Sequence, residues 1–262
     1  MAAHKQLPGK FVWFELVTPD VKKAQAFYAA VLLWKTVPFP MGNSTYEMIQ
    51  IGDTADTMIG GYAPPKNTDR SAHWISYVSV KDVDATAEAA AKNGGKVIEA
   101  PYEIPSVGRS ARLADPQGAE LCILKIAKGD PPDLPVRAGQ FFWNELHTID
   151  PVKALTFYEK VLGFSHRPME GPDGTYHILS QAGVDRGGVT ADLQKGMSPY
   201  WLPYVDVENP DAAVERATKF SARITVSPED IPGIGRYAVL QDPTGATLAV
   251  MKPTPMDKKH TA

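Results

Sequence analysis

The chain begins with an alternation of apolar and polar residues that then gives way to helical spacing. Residues Phe11–Val17 alternate with a period of two, which predicts a β-strand with Trp13 and Glu15 on the same face. After Asp20, which can cap a helix by accepting hydrogen bonds from free N–H groups, apolar residues recur every three or four positions. The pattern therefore predicts a strand followed by a helix that covers a sheet.

Further strands complete a repeating unit. Turn signals separate three short β segments after the helix, at 35–39, 46–52 and 57–62. The pattern restarts at His73, with a second helix over Ala85–Lys92 and three more strands. The last two of these strands join through the turn Asp115-Pro116-Gln117-Gly118. Each unit thus has the order βαβββ.

The second half of the chain repeats the first. Trp13 and Trp143 are 130 residues apart, and so are the Phe-Tyr pairs of the two following helices. The turn at Asp115 returns at Asp242, 127 residues later, so a loop of the second half is three residues shorter. The repeat predicts an α+β chain of four βαβββ modules, paired into two domains.

The domain boundaries follow from the repeat. We predict a first domain at 8–127, a linker at 128–137, a second domain at 138–253 and a disordered tail at 254–262. Because the linker is dense in proline and charge, it should form a stiff, exposed connection.

Composition narrows the classes of function. The 262 residues carry a net charge of −3, so the basic surplus that drives most nucleic-acid binding is missing. One cysteine, Cys122, allows no intramolecular disulfide, and no apolar run approaches a signal peptide or a membrane span. We therefore expect a cytoplasmic protein without nucleic-acid or membrane partners, either a monomer or a homodimer.

The repeated motifs resemble those of a known superfamily. A V-x-x-D sequence before an A-x-x-F-Y helix, with a closing D-P-x-G turn and strand, is similar to the vicinal oxygen chelate superfamily. That superfamily includes glyoxalase I, bleomycin and fosfomycin resistance proteins and extradiol dioxygenases. The I-P-x-x-G-R and D-P-x-G phrases of both halves look more narrowly like two-domain bacterial glyoxalase-like proteins related to lactoylglutathione lyase. The resemblance implies that each module pair forms a half-open, barrel-like cup.

The resemblance also implies where metal ligands would stand. In glyoxalase I they project from the first and last strands of a module, and counting from the conserved phrases places them in this chain. The residues found there are Trp13, Ile75, Trp143, Leu202, Cys122 and Ala249. Divalent metals need converging oxygen or imidazole donors, which these side chains do not supply. We therefore predict that neither cup holds the superfamily's usual metal, and that the protein has no cofactor.

Aromatic side chains replace the metal ligands, as expected for a cavity that holds a small organic molecule. Arginines after the I-P-x-x-G phrase could clamp a carboxylate or phosphate, or could instead contact Asp115 or Asp242. The predicted ligand-binding residues are Trp13, Tyr46, Trp74, Arg109, Trp143, Tyr176, Trp201 and Arg236.

Glu15 and Glu145 are the candidate catalytic residues, because each lies two positions beyond a replaced ligand on the same strand face. Each could act as a base, a hydrogen-bond acceptor or a relocated metal ligand, or could pair with Arg109 or Arg236 for structural reasons. A displaced metal site could combine Glu15 with His73 and Glu120, or Glu145 with His147, with His177 as a further nearby donor. Cys122, in an apolar strand, is expected to be a buried thiol.

Two functions stay open at this point. One is a metal-independent protein that binds a small apolar or aromatic molecule in one or both cups, for sequestration, sensing or resistance. The other is a glyoxalase-like lyase or isomerase with Glu15 or Glu145 as general base, with or without a displaced divalent metal.

Overall fold

The computed structural model describes residues 4–41, 44–54, 57–66, 71–171, 174–193 and 196–254. Within these residues the first half contains β1 (Phe11–Val17), α1 (Val21–Leu32), β2 (Lys35–Met41), β3 (Ser44–Gln50), β4 (Met58–Ala63), β5 (His73–Ser79), α2 (Val83–Lys92), β6 (Lys96–Ile104), β7 (Gly108–Ala114) and β8 (Glu120–Ile126). The second half contains β9 (Phe141–His147), α3 (Pro151–Leu162), β10 (Ser165–Gly171), β11 (Gly174–Gln181), β12 (Val184–Thr190), β13 (Tyr200–Asp206), α4 (Pro210–Lys219), β14 (Arg223–Ile231), β15 (Gly235–Gln241) and β16 (Thr247–Pro253).

Each half folds into one curved sheet made from two βαβββ modules. The strand order of the first sheet is β2-β3-β4-β1-β5-β8-β7-β6, and the second sheet repeats it as β10-β11-β12-β9-β13-β16-β15-β14. The modules of a half meet where their first strands, β1 and β5 or β9 and β13, pair antiparallel. The predicted α+β fold with paired modules is confirmed, and the pairing is complete within one chain.

Polar caps explain where the helices begin. The side chains of Asp20, Asp82, Asp150 and Asn209 each accept a hydrogen bond from a backbone N–H of the following first turn. The second helix starts at Val83, before the predicted Ala85, because Asp82 is its cap. None of the four helices in the described part of the chain is long and apolar enough to cross a membrane.

The two sheets pack back to back, with the helices at their shared core. Helix α1 contacts α4, and α2 contacts α3, so each helix of one half meets a helix of the other. At the centre the rings of Phe14 and Phe141 stack with centroids 4.0 Å apart. Two buried clusters combine residues of both halves, and burial of this apolar surface is the main stabilising contribution.

Two reciprocal hydrogen bonds join the halves inside this core. The hydroxyl of Tyr28 in α1 donates to Asp242 Oδ2 at 2.9 Å, and the hydroxyl of Tyr158 in α3 donates to Asp115 Oδ2 at 3.2 Å. The other oxygen of Asp242 accepts the backbone N–H groups of its own Asp-Pro-Thr-Gly turn. The repeated turn therefore shapes one half and anchors the helix of the other.

The segment 128–137 is largely exposed, but two of its residues attach it firmly. Asp130 is buried and accepts hydrogen bonds from Ser79 Oγ at 2.6 Å and from the backbone N–H of Leu7. Asp133 accepts two hydrogen bonds from Arg186 of the second half, at 2.7 and 2.9 Å. Of the predicted tail, only Thr254 belongs to the described residues.

The reciprocal hydrogen bonds give a test of the packing between the halves. We expect Tyr28→Phe and Tyr158→Phe each to lower the free energy of unfolding by about 1–3 kcal/mol, because each leaves a buried carboxylate oxygen without its donor. Since the two sites are separate, the double variant should show the sum of both losses. Denaturant unfolding measures this, and single variants as stable as the parent would contradict it.

Candidate functional site

A cavity of about 1010 Å³ is lined by the concave face of the first sheet, by the linker and by residues of the second half such as Trp143 and Arg186. Four side chains on neighbouring strands form one row across its floor: Trp13 of β1 is in register with Tyr77 of β5, Tyr77 with Cys122 of β8, and Cys122 with Arg112 of β7. All four line the cavity. Strand alternation therefore gathers aromatic, thiol and guanidinium groups on one surface.

Glu15 lies in this cavity between two tyrosines. Tyr46 donates to Glu15 Oε2 at 2.7 Å, and Tyr77 donates to Glu15 Oε1 at 3.2 Å. The indole N–H of Trp13 donates to the Tyr46 hydroxyl at 3.1 Å, which fixes that ring. Burial raises the pKa of Glu15, and the two phenol hydrogen bonds offset part of the rise. The result is a positioned carboxyl group that holds a proton more tightly than an exposed glutamate.

A glycine makes room for this arrangement. Gly61 is in register with Glu15 on β4, and a Cβ atom at Gly61 would overlap the phenol of Tyr46. The second half repeats the feature, since a Cβ atom at Gly188 would overlap the phenol of Tyr176. The second glycine of each Gly-Gly sequence, in β4 and in β12, thus leaves space for a tyrosine ring from the neighbouring strand.

A cluster of polar side chains lies on the side of the first cup away from Glu15. Arg112 forms an ion pair with Glu120 at 2.6 Å, and its Nη2 lies 3.1 Å from His73 Nε2. Cys122, next to Arg112, is a free and buried thiol, as predicted, and burial raises its pKa above the usual range. Such a thiol is not activated as a nucleophile.

The second cup keeps the carboxylate but adds a histidine. Tyr204 donates to Glu145 Oε1 at 3.0 Å, and His147 Nε2 lies 2.8 Å from the same oxygen. Burial works against the charged form of His147, but Glu145 and the Asp192 carbonyl outweigh it and raise the pKa of the imidazole. Its ring stacks on Tyr200 with centroids 4.9 Å apart. Glu145 and His147 do not line the large cavity.

The side chains of neither cup form a ligand set for the superfamily's metal. Glu15 is held by two phenols, while His73 and Glu120, its partners in the displaced site, lie against the guanidinium of Arg112. In the second cup Glu145 and His147 are adjacent without a third donor of these types. Across the described ranges no three His, Cys, Asp or Glu side chains are grouped to hold a metal ion. The donors present therefore do not fit a divalent metal.

Four of the predicted ligand-binding residues lie elsewhere, and we correct their placement. Trp74 and Trp201 face the core between the sheets, where their indole N–H groups donate to Tyr28 and Tyr158, because they alternate with the cup-facing residues of β5 and β13. Arg109 is held at the surface by Asp84 and Glu103.

Arg236 is held in the same way by Asp211 and Asp230. Neither arginine reaches Asp115 or Asp242, nor the cup glutamates, because each turns toward the helix that precedes its strand.

The remaining predicted residues lie in or beside the cups. Trp13, Tyr46 and Trp143 line the cavity, and Tyr176 accepts the indole N–H of Trp143 at 2.8 Å in the second cup. Tyr77 and Arg112 also line the cavity and were not among the predicted ligand-binding residues. Counting two residues on from Ile75 would have found Tyr77, whereas Arg112 needed the register between β7 and β8.

Comparison with known proteins agrees with this geometry. The sequence model of the Glyoxalase/Bleomycin resistance protein/Dioxygenase superfamily matches residues 143–250, and one described as Bleomycin resistance protein-like N-terminal matches residues 10–52. A Mycobacterium tuberculosis protein named "Putative glyoxylase CFP32" is 32% identical over 246 residues, covering 93% of this chain and 94% of its own. The anthracycline biosynthesis protein DauV of Streptomyces is 29% identical over 262 residues, covering 94% of each chain.

Solved structures share the fold at low sequence identity. The Mn(II)-bound glyoxalase from Novosphingobium aromaticivorans has a TM-score of 0.65 and 17% identity, covering 94% of this chain and 82% of its own. The 2,3-dioxygenase LapB from Pseudomonas has a TM-score of 0.64 and 14% identity, covering 100% and 97%.

Fold and site together define a class of proteins with paired βαβββ modules and a concave site on each module pair. The extent and identity of the matches place the chain within that class. It belongs to the glyoxalase/bleomycin resistance protein/dioxygenase superfamily, the vicinal oxygen chelate proteins, and it is a glyoxalase-like protein.

The contact between Gly61 and Tyr46 can be tested with a single methyl group. We expect Gly61→Ala to displace the Tyr46 ring and to lower the free energy of unfolding by about 1–3 kcal/mol, the usual cost of overpacking. Gly171→Ala is the matched control, since a Cβ atom there would meet its nearest atom, the Gly174 carbonyl oxygen, at 3.5 Å. Denaturant unfolding of both variants measures the difference. Equal stabilities would show that the ring is not constrained by Gly61.

Proposed function

We propose that the protein binds a small, largely apolar aromatic molecule in the first cup, without the superfamily's divalent metal. The observation that carries the proposal is the cavity of about 1010 Å³ built on Trp13, Tyr46 and Tyr77, with Trp13 at a position where the resemblance implies a metal ligand. Cavities of this kind, apolar with a few placed polar groups, are the usual sites for small organic ligands.

The character of the walls supports an aromatic ligand. Rings of Trp13 and Tyr46 lie on one side of the cavity, and Phe39, Tyr102 and Trp143 contribute further aromatic surface. Planar ligands stack on such rings or meet their edges, and each pair adds about 0.5–1.5 kcal/mol beyond area burial. The name of the relative DauV, an anthracycline biosynthesis protein, is consistent with polycyclic aromatic chemistry.

Glu15 gives the cavity a specific polar contact. Its carboxyl group is fixed by Tyr46 and Tyr77, and burial raises its pKa, so a ligand meets one positioned polar group in an otherwise largely apolar cavity. A buried thiol at Cys122 fits a protein of the reducing cytoplasm, where we place it.

The same carboxyl group supports a second candidate function. A buried glutamate with a raised pKa beside a ligand cavity can act as a general base in a lyase or isomerase reaction. On this alternative Glu15→Gln abolishes turnover of a bound substrate while ligand binding persists. Glu145→Gln, outside the cavity, is the matched control and leaves turnover unchanged.

Calorimetric titration with 2-naphthamide, a neutral bicyclic probe, tests the binding proposal. We expect the parent protein to bind it, and Tyr46→Leu to weaken binding at least about tenfold, equivalent to about 1.4 kcal/mol. The control is Tyr200→Leu, which removes a tyrosine of the second cup that stacks on His147 outside the cavity and should leave the affinity unchanged.

Absence of binding to the parent protein, or equal losses in the two variants, would contradict the assignment to the first cup. Circular dichroism of both variants establishes that they retain the fold.

A further inference from the structure

The two cups differ on the side away from their glutamates. Shifting by the 127-residue offset places Tyr200, Val239 and Thr247 in the second half at the positions of His73, Arg112 and Glu120. The charged group of the first cup is thus replaced by an apolar and uncharged one. The second cup is therefore an internal example of the same fold without these charged side chains.

The fold itself does not require Arg112. Its counterpart Val239 is buried in the second cup, packed with Leu202, Tyr204 and Ala249. Replacing a buried ion pair by apolar residues of similar packing is often neutral or stabilising, because burying charge costs desolvation energy. We therefore expect Arg112, the charged residue at this position in the first cup, to have a role other than stabilising the fold.

The guanidinium of Arg112 has hydrogen-bonding capacity left over. Its side chain is 12% exposed and borders the cavity, with Nη2 engaged by Glu120 and His73. Its Nε is buried and makes no hydrogen bond to any described residue. An arginine presents five donors in a rigid planar fork that matches a carboxylate, and buried donors are normally satisfied.

The position of Arg112 also fits a ligand that spans the cavity. It lies at one end of the floor row and Trp13 at the other, with Cys122 and Tyr77 between them. Three spacings between neighbouring strands correspond to about 14 Å along the curved sheet. An aromatic body packed against Trp13 and Tyr77 would extend toward the guanidinium.

We propose that Arg112 binds the carboxylate of an aromatic acid held in the first cup. This inference rests on the proposed function and narrows its ligand class from aromatic molecules to aromatic carboxylates. The ligand carboxylate would lie at the guanidinium, with its ring system on Tyr77 and Trp13 and Glu15 at the opposite side. Charge-assisted contacts of this type are about twice as strong as neutral hydrogen bonds.

The test compares two probes of the same shape, 2-naphthoate and 2-naphthamide, by calorimetric titration of the full chain. We expect the parent protein to bind the carboxylate at least about tenfold more tightly than the amide, a difference of about 1.4 kcal/mol. Arg112→Met/Glu120→Gln, which removes both charges together, should abolish this preference for the carboxylate over the amide. Arg109→Met, a surface arginine outside the cavity, should retain the preference.

A parent protein that binds both probes equally, or a double variant that keeps the preference, would overturn this inference alone. If neither probe binds, the proposed function on which this inference rests is overturned instead. If the double variant does not fold, Glu120→Gln by itself is informative. It removes the competing carboxylate, so the preference for 2-naphthoate should increase, and an unchanged or smaller preference would contradict the role of Arg112.

Discussion

The hydrogen bonds of Tyr28 with Asp242 and of Tyr158 with Asp115 tie each half of the molecule to the other. Because tyrosine and aspartate come from opposite halves, neither sheet completes its helix-covered face alone. Because of these hydrogen bonds, the convex faces of both sheets are buried in the core, and so are Trp74 and Trp201. The concave faces pack into separate, smaller clusters and are not part of this core.

The same arrangement of side chains occurs on the concave faces of both sheets. A strand glutamate lies beside tyrosines, one of which accepts an indole N–H, and a glycine on the neighbouring strand leaves space for that tyrosine ring. In the first cup the buried carboxyl group accepts hydrogen bonds from two phenols, which offset part of the cost of its burial. The cups then diverge: the first has Arg112 where the second has Val239, and the second has His147 beside its glutamate.

The architecture could be predicted from sequence patterns because the duplication shows which residues of the two halves correspond. Strand β1 was predicted with its observed bounds, and the Asp-Pro turns and helix caps lie where their residues indicate. The site was harder to predict because a strand has two faces. Trp74 and Tyr77 are three residues apart and therefore face opposite sides, so an aromatic residue on a cup strand need not enter the cup. Arg112 belongs to the site only through pairing between strands distant in sequence.

We propose that in the first cup aromatic side chains and a phenol-bound glutamate stand in place of the superfamily's metal. This proposal can be tested by elemental analysis by mass spectrometry, on protein purified without chelator and dialysed against metal-free buffer. We expect no stoichiometric manganese, nickel, zinc or iron. One equivalent of any of these metals per chain, lost on Glu15→Gln but retained on Glu145→Gln, would contradict it.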